Sequence, residues 1–447
     1  MLKKVILRKL FNRFDYEIVL KKNGITIITG PNGYGKSTIL KCIEALYEKN
    51  LNYFMILDFS LIEFIFTKKT ANITFKKKND GSLVFCDVTI PRVDKRKASS
   101  KNAYSRHMLY YDDQVRYMDY QDRYMSPRDN RNSFIYSYRE YDELFSNMIM
   151  SEWIEHLRHY PSYFLSLFDF DDKDDVIKLK KIVDQLNSTS HAFGQLHFVK
   201  EQRLVIRRTV ERDKHEVINA IEDIPSLIKK HIGRISSKYS STANRLDSTY
   251  PERLFGITTG ITSEEYELKM VKMNEKFEKI NKYDISNLRS TRNVVFKDAH
   301  AIALKVYFDD FDEKYKVYED FIQKLDLFTN ILNNMLSFKE IRISTEDGIK
   351  VVDKDDGHVI DLKQLSSGEM QEIVMFYNLI FEAEHDSMLL IDEPEISLHI
   401  LWQKKFMDDL LKVVNYKKIH TIVATHSPQI ISNHWDSQID LGELYGK

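Results

Sequence analysis

Eight residues near the start of the chain, Gly30 to Ser37, follow the spacing G-x-x-x-x-G-K-S. Glycines at this spacing let a loop turn its backbone N–H groups towards a chain of phosphates. The ammonium group of Lys36 is suited to the β- and γ-phosphates, and the hydroxyl of Ser37 is suited to Mg²⁺. We therefore predict a site for ATP and Mg²⁺ that includes Gly30, Pro31, Asn32, Gly33, Tyr34, Gly35, Lys36, Ser37 and Thr38.

A second group of residues that could do chemistry ends an apolar run, Met388 to Ile391, which is followed by Asp392 and Glu393. A continuous apolar run is typical of a strand that is buried in a parallel sheet. Such a strand would deliver Asp392 to the outer coordination of the magnesium ion. Glu393 would then orient the attacking water or accept its proton. The alternative is an ordinary strand followed by a solvated acidic turn.

Ser366 and Gly368 precede an apolar helical stretch, and Glu369 stands three residues after Ser366. This S-x-x-E spacing predicts a capping box, which needs no ligand. The same helix start, with a free hydroxyl and a glycine backbone, could bind a γ-phosphate. We favour the phosphate-binding interpretation because the motif lies about twenty residues before the acidic strand.

A second buried strand is predicted from Thr421 to Ala424, and it is followed by Thr425 and His426. A single histidine is usually structural. At the end of a strand that neighbours the acidic strand, however, the imidazole could hydrogen-bond the γ-phosphate. We therefore include His426 among the candidate catalytic residues.

The elements that must hold these residues can be predicted from hydrophobic periodicity. Short strands are predicted before the phosphate loop, a hairpin around 70–90, and helices over 175–187 and over most of 214–336. Strands return after Phe338. Between 92 and 165 the composition changes, since eleven of the 25 tyrosines lie from Tyr104 to Tyr163. This tyrosine-rich segment favours a protein interface over nucleic acid.

Composition excludes several classes of protein. The 447 residues contain 66 Lys and Arg against 67 Asp and Glu, so no overall basic field indicates a polyanion partner. Two cysteines, Cys42 and Cys86, exclude a disulfide scaffold and a cysteine-rich zinc site. The most apolar stretch is too short and too charged to cross a bilayer, and there is no signal-peptide core. We expect a cytoplasmic protein without a membrane partner.

The phosphate loop, the S-x-G signature, the acidic strand and the histidine, in this order, resemble the ABC-type ATPase heads of the SMC, Rad50, RecF and OLD families. The resemblance implies that two heads dimerise head-to-tail, so that each ATP lies between Lys36 of one chain and Ser366 of the other. It implies a D-loop from Glu395 to His399. It also implies that the chain is an enzyme, an ATPase that releases ADP and phosphate.

The same resemblance implies a Q-loop glutamine that contacts Mg²⁺ and the attacking water. We assign this role to Gln202, which follows the apolar strand Leu196 to Val199. Gln114 is a weaker rival because no predicted strand precedes it. Arg13 is a further candidate for the nucleotide, by analogy with N-terminal arginines of Rad50-like heads.

The fold that the resemblance implies is α/β. It is an ABC-type P-loop ATPase head, a mixed β-sheet with helices, and carries a largely helical insertion between the phosphate loop (Walker A) and the signature. The head is expected in two parts, one with Walker A over 1–60 and one over 338–447 with the signature, the acidic strand (Walker B), the D-loop and the histidine. Between them we expect an insertion (hairpin, then tyrosine-rich segment) over 61–190, a Q-loop return to the head over 191–212, and a helical or coiled-coil arm over 213–337.

Among such heads, the chain is most similar to the ATPase subunits of the PARIS anti-phage defence system, and those of Septu and of retrons are near alternatives. This similarity implies an ATP-hydrolysing sensor and scaffold that forms homo-oligomers. It would hold a separate nuclease, of the Toprim type, until a phage-encoded trigger protein is detected. The alternative is an ATPase of DNA repair or recombination that binds duplex DNA. Contact with nucleic acid is therefore left open, as are the oligomer number and the identity of the effector.

Overall fold

The computed structural model describes residues 1–67, 72–85, 88–90, 194–200, 205–211, 214–285 and 295–445. Its strands are β1 (Leu2–Leu10), β2 (Phe14–Val19), β3 (Ile25–Thr29), β4 (Leu61–Phe66), β5 (Ile73–Lys77), β6 (Leu83–Phe85), β7 (Val88–Ile90), β8 (Leu196–Val199), β9 (Val205–Glu211), β10 (Lys214–Asn219), β11 (Lys339–Ser344), β12 (Gly348–Asp353), β13 (Val359–Ile360), β14 (Met388–Asp392), β15 (His420–Ala424) and β16 (Gln438–Asp440). Its α-helices are α1 (Lys36–Tyr47), α2 (Leu51–Ile56), α3 (Ala220–Gly256), α4 (Ser263–Lys282), α5 (Ala301–Met335), α6 (Ser367–Tyr377), α7 (Ile400–Lys417), α8 (Pro428–Ile431) and α9 (Leu441–Tyr445).

A parallel sheet with the strand order β16-β3-β15-β14-β8 forms the centre of the fold. Successive residues of its strands point to opposite faces, and both faces are covered. Leu389 and Ile391 pack with α3, α5, α6 and α7, whereas Met388 and Leu390 pack with α1 on the other face. This two-sided burial explains why the central strands read as continuous apolar runs.

An antiparallel sheet with the order β2-β1-β4-β5-β6-β7 lies on the α1 side of the parallel sheet. The hairpin predicted around 70–90 is present as β5 and β6, with Phe75 paired to Phe85. The rings of Phe54 from α2 and Phe75 stack with centroids 4.0 Å apart, which ties the helix to the sheet. Strand β4 pairs with β1, so 61–66 share this sheet with the first strands of the chain.

Helix α5 packs along both α3 and α4. Arg253 near the end of α3 contacts Asp310 near the start of α5, so these two helices are antiparallel. Lys276 of α4 bonds Asp312 and Lys282 bonds Asp326, so α4 and α5 run parallel. The helices predicted within 214–336 are confirmed, except that residues 214–219 form strand β10, which pairs with β9.

The last part of the described chain contains the small sheet β11-β12-β13 and then helix α6. Helix α6 passes at Asn378 into a π-helical turn that ends at Glu382. No helix in the described ranges combines the length and the apolar character needed to cross a bilayer.

These elements confirm the predicted fold class, an α/β fold with a phosphate loop and with helices inserted between that loop and the signature. The tyrosine-rich segment and the helix predicted over 175–187 lie outside the described residues. The division of the chain into five parts stays a prediction.

Candidate functional site

The candidate residues gather where three neighbouring strands of the parallel sheet end. Strand β3 leads into the phosphate loop, β14 ends at Asp392, and β15 ends at Ala424. The register pairs Asp392 with Ala424, and Ala424 with Ile28. Since the carboxyl ends of parallel strands meet at one edge of a sheet, loops that are hundreds of residues apart in sequence converge here.

The phosphate loop owes its shape to glycines with positive φ. Gly33 has a φ of +81°, and no atom lies within 4 Å of the position that a Cβ would take. Gly35 has a φ of +87°, and a Cβ there would lie 3.0 Å from the Leu10 side chain. A residue with a side chain would be strained at both positions. The result is an open loop directly before α1, which suits the phosphates of a nucleotide.

Ser37 and Asp392 meet although 355 positions separate them in the sequence, and the Ser37 hydroxyl donates a hydrogen bond of 3.0 Å to Asp392 Oδ1. Both side chains offer oxygen atoms, the ligand type that Mg²⁺ prefers. The donor set therefore fits the ion that the sequence predicts, with Ser37 and Asp392 as the residues that would hold it.

Lys36, His426 and Glu393 form a chain of contacts beside this pair. The Lys36 ammonium lies 2.9 Å from Gly30 O and 3.1 Å from His426 Nδ1, and His426 Nε2 lies 3.1 Å from Glu393 Oε1. An ammonium group can only donate, so Nδ1 must accept and the ring proton must sit on Nε2, facing the carboxylate. Both contacts thus fit one neutral tautomer of His426.

Electrostatics at Lys36 work in two directions. Burial lowers the pKa of its ammonium, since the residue is only 4% exposed, while the nearby carboxylates of Glu393, Glu395, Asp392 and Asp440 act to raise it. The net pKa is below that of a free lysine. The ammonium itself, which lies beside the phosphate loop, is suited to receive an anionic phosphate.

Glu393 adopts a backbone conformation that is unusual for its residue type. Its φ is +45°, in the left-handed region, and its N–H donates to Ala424 O at 2.9 Å. A non-glycine residue in this region costs free energy, and such positions cluster at functional sites. The turn directs the Glu393 side chain towards His426.

Arg13 lies beside the phosphate loop through an aromatic cluster. Its Nε donates to the Tyr445 hydroxyl at 3.2 Å, and its guanidinium lies 5.5 Å from the Phe14 ring centroid. The Tyr34 ring from the loop is 5.1 Å from Phe14, between centroids. The hydrogen bond to Tyr445 raises the pKa of Arg13. Its predicted contact with the nucleotide stays a prediction.

The signature residues Ser366 and Gly368 lie at the start of α6, and the predicted capping box is present. The Ser366 backbone N–H donates to Glu369 Oε2 at 2.8 Å, and the Ser366 hydroxyl accepts from the Glu369 N–H at 3.3 Å. Lys339 donates to both Glu369 oxygens, at 2.8 and 2.9 Å. Burial opposes the charge of Glu369, but these bonds outweigh it and lower its pKa. Within the described chain these bonds link Ser366 to its own helix and leave its role towards ATP a prediction.

Of the two glutamines proposed for the Q-loop, neither Gln202 nor Gln114 belongs to the described residues. The strand before Gln202 is present as β8 and pairs with β14 through Val199 and Ile391. Gln202 therefore follows a strand that ends at the same edge of the sheet as Asp392.

Sequence reasoning missed three contacts at this edge. Glu395, which was assigned only to the D-loop, binds the loop that carries His426. Asp440 accepts a hydrogen bond from the Thr29 hydroxyl at 3.1 Å, and Tyr445 binds Arg13. The spacing D-E-x-E could have directed attention to Glu395, but no local pattern marks Asp440 or Tyr445.

A family model described as an AAA ATPase domain matches residues 1–431. No curated protein matches the chain.

Solved structures of SMC heads are similar to the chain at low identity. The Smc head domain with an extended coiled coil bound to the C-terminal domain of ScpA, from Pyrococcus furiosus, is 13% identical with a TM-score of 0.35, and the match covers 97% of this chain and 91% of that one. The SMC head domain from Thermotoga maritima is 12% identical with a TM-score of 0.31, and the match covers 96% and 90% of the two chains. The SmcHead bound to the C-winged helix domain of ScpA is 12% identical with a TM-score of 0.35, with coverage of 97% and 91%.

Proposed function

The chain belongs to the AAA ATPase domain family and is an ATPase, and we propose on that premise that it hydrolyses ATP where strands β3, β14 and β15 end. The observation that carries this proposal is the hydrogen bond between Ser37 and Asp392 beside the Lys36 ammonium. It joins the two motifs that the sequence predicts to meet at Mg²⁺ and phosphate.

The proposed roles follow from the chemistry of each side chain. Lys36 offers a cation to the β- and γ-phosphates, and Ser37 and Asp392 hold Mg²⁺, which would neutralise charge on the same phosphates. Glu393 orients the attacking water or accepts its proton. His426 donates a hydrogen bond from a ring N–H to an oxygen of the γ-phosphate. Because Nδ1 faces Lys36 and Nε2 faces Glu393, this donation requires either a proton on Nδ1 or a rotation of the ring.

We propose further that the working site is shared between two copies of the chain, with Ser366 and Gly368 of one copy meeting the ATP held by Lys36 of the other. Two observations support this arrangement. Ser366 is exposed at the start of α6, where helix N–H groups can meet an anion. Ile396, in the proposed D-loop three residues from Glu393, is 53% exposed, as an apolar residue at a subunit contact would be in one isolated chain.

At the level of biology, we propose that the chain is the sensor and scaffold ATPase of an anti-phage defence system. It would hold a separate Toprim-type nuclease until a phage protein is detected. The order of the motifs and the family match support the ATPase part of this proposal. The tyrosine-rich segment from Tyr104 to Tyr163, whose composition is suited to a protein interface, supports the part that concerns protein partners.

The nucleotide site can be tested with Ser37→Ala. The variant should lose most of its Mg²⁺-dependent ATP hydrolysis because the hydroxyl that would meet the ion is gone. Ser226→Ala is a matched control, since the Ser226 hydroxyl donates only within α3, to Asp223 O at 2.8 Å. Wild-type hydrolysis by Ser37→Ala would contradict the proposed site at Ser37 and Asp392.

The biological proposal needs a different experiment. The tagged chain, expressed together with its neighbouring genes, should co-purify with a nuclease and release it when a phage trigger is co-expressed. DNA-stimulated ATP hydrolysis that falls steeply with salt, with no nuclease bound, would instead favour the repair function.

A further inference from the structure

Glu395 connects the loop after β14 to the loop after β15. It lies in the short 3₁₀ turn Pro394–Ser397. One of its oxygens, Oε1, accepts three hydrogen bonds, from the Thr425 hydroxyl at 2.7 Å, the His426 N–H at 2.6 Å and the Ser427 N–H at 3.1 Å. A single carboxylate oxygen is therefore hydrogen-bonded to the backbone N–H groups on both sides of the His426 side chain.

The second oxygen of Glu395, Oε2, is buried and has no hydrogen-bond partner within the described ranges. An unpaired buried carboxylate oxygen costs free energy. The three charge-assisted bonds to Oε1 offset that cost. A carboxylate that carries such a cost is better explained by what its bonds hold in place than by stability alone.

Helix α7 reinforces the same connection through Gln403. Its amide nitrogen donates to Leu398 O at 3.0 Å and to Glu395 O at 3.3 Å, and its amide oxygen accepts from the Ser427 hydroxyl at 2.7 Å. The turn that carries Glu395 and the loop that carries His426 are thus fixed to one helix.

The loop held in this way presents the His426 ring to two groups of the proposed site. Nδ1 lies 3.1 Å from the Lys36 ammonium, and Nε2 lies 3.1 Å from Glu393 Oε1. The ring has few torsions of its own, so its position depends on the backbone from Thr425 to Ser427. That backbone is bonded to Glu395.

We infer that Glu395 is a positioning residue of the ATPase site, which acts on hydrolysis by fixing the backbone that carries His426. The inference rests on the proposed function of this edge of the sheet. It concerns the rate of hydrolysis rather than the binding of ATP, because the hydrogen bonds of the Glu395 carboxylate within the described chain run to the loop from Thr425 to Ser427 and not to the phosphate loop.

The test compares Glu395→Gln with Asp80→Asn. The Asp80 carboxylate is a matched control because it also accepts from a backbone N–H and a hydroxyl, both of Ser82, but in the β5–β6 turn. For Glu395→Gln, kcat should fall by about tenfold or more, since small misplacements of reacting groups have effects of this size, while KM stays the same. Asp80→Asn should leave both constants unchanged. An unchanged kcat in Glu395→Gln, or a change in KM alone, would overturn the inference.

A double-mutant cycle separates positioning from a general loss of structure. If Glu395 acts through His426, then Glu395→Gln should cost nothing further in a His426→Ala background. Losses that multiply in the double variant would show that Glu395 acts elsewhere and would overturn the inference. If Glu395→Gln does not fold, Thr425→Val removes one of the three donors with little change of shape, and the same comparison of kcat with KM decides.

Glu393→Gln, measured in parallel, distinguishes the two ways of failing. Wild-type hydrolysis by Glu393→Gln would mean that the proposed site itself is wrong. Slow hydrolysis by Glu393→Gln together with wild-type hydrolysis by Glu395→Gln would leave the site intact and reject the positioning role.

Discussion

Two regions were predicted to meet ATP: the edge of the parallel sheet where β3, β14 and β15 end, called here the phosphate-loop edge, and the start of α6. The two regions differ in the contacts that their residues make. At the edge, side chains from three separate loops contact one another, as Ser37 does with Asp392 and Lys36 does with His426. At α6, the hydrogen bonds of Ser366 run to Glu369, three residues further along the same helix.

This difference separates two kinds of evidence for function. The contacts at the edge exist only because distant strands pair in one register. Clusters of a lysine, a histidine and two acids are typical of functional sites and are not explained by local turn formation. The capping box at α6 forms from local sequence and is explained by helix stability alone. A function for Ser366 therefore requires a second chain, whereas the edge already contains its reacting groups.

The largest expected effect is on the edge. Lys36→Ala should abolish ATP binding, because the loop loses its side-chain cation for the β- and γ-phosphates. Isothermal titration with a non-hydrolysable ATP analogue measures this directly. Lys41→Ala is a suitable control, since Lys41 lies on the same helix but is exposed. Wild-type affinity in Lys36→Ala would show that Lys36 does not bind the nucleotide. The phosphate-loop edge would then have no stronger claim to ATP than the start of α6.

The next effect separates binding from chemistry at the same edge. Glu393→Gln should still bind ATP but hydrolyse it about 10²-fold or more slowly, since general-base assistance is typically of that size. Asp392→Asn should instead weaken Mg²⁺-dependent binding. Steady-state hydrolysis and analogue titration distinguish the two variants, with the exposed Glu346→Gln as control. If Glu393→Gln hydrolyses ATP at the wild-type rate, the water is activated by another group.

The third prediction concerns the start of α6. Ser366→Arg should block hydrolysis and leave analogue binding nearly intact, because a bulky cation would prevent two heads from closing on the nucleotide. Mixing Ser366→Arg with Lys36→Ala should restore about a quarter of wild-type hydrolysis, since mixed two-fold dimers keep one intact shared site.

The capping box alone leads to a different outcome for the same variants. Ser366→Arg would then cost about 1 kcal/mol of stability through the lost cap, hydrolysis would persist, and mixing would restore nothing. Full hydrolysis by Ser366→Arg would therefore reject the shared site, and the two regions would differ in function as well as in construction.

Local sequence patterns were sufficient for much of this molecule. The fold class is confirmed, and the strands that end at Thr29, Asp392 and Ala424 were predicted from apolar runs followed by motif residues. These elements are predictable because parallel strands covered on both faces must be continuously apolar. The capping box was predictable because it depends on residues three positions apart.

Contacts that depend on the pairing of distant strands could not be predicted. The bond from Thr29 to Asp440 requires β16 to lie beside β3, and no local pattern fixes that neighbour. The three bonds to Glu395 likewise require β14 and β15 to be adjacent and in register. Strand β10 was expected to be helical, and its pairing with β9 overrode that expectation.

Substitution of Glu372 in α6 is expected to have the smallest effect on hydrolysis and a measurable effect on the free energy of unfolding. The side chain is 1% exposed, and both carboxylate oxygens lack a hydrogen-bond partner in the described part of the chain. Burial, with added repulsion from Glu369 and Asp409, raises the pKa of Glu372 to about 9. The strongest rise for a carboxyl group in the described chain thus lies outside the phosphate-loop edge.

The raised pKa has a definite consequence for stability. In the folded chain Glu372 keeps its proton up to a pH of about 9, whereas in the unfolded chain it loses it near 4.5. The unfolded state therefore binds fewer protons between these values, and the free energy of unfolding falls as the pH rises through this window. Glu372→Gln removes the titration, so its stability relative to wild type should increase by up to about 3 kcal/mol between pH 6 and pH 8.5.

Urea unfolding of wild type, Glu372→Gln and the exposed control Glu346→Gln at the two pH values measures this difference. Because both variants lose one carboxylate, a pH-dependent gain that is confined to Glu372→Gln must come from burial rather than from net charge. Parallel changes in all three proteins would mean that Glu372 is ionised in the folded chain. Helix α6 would then have to supply a partner to its carboxylate, and the packing of this helix, including the start that carries Ser366, would differ from the one described.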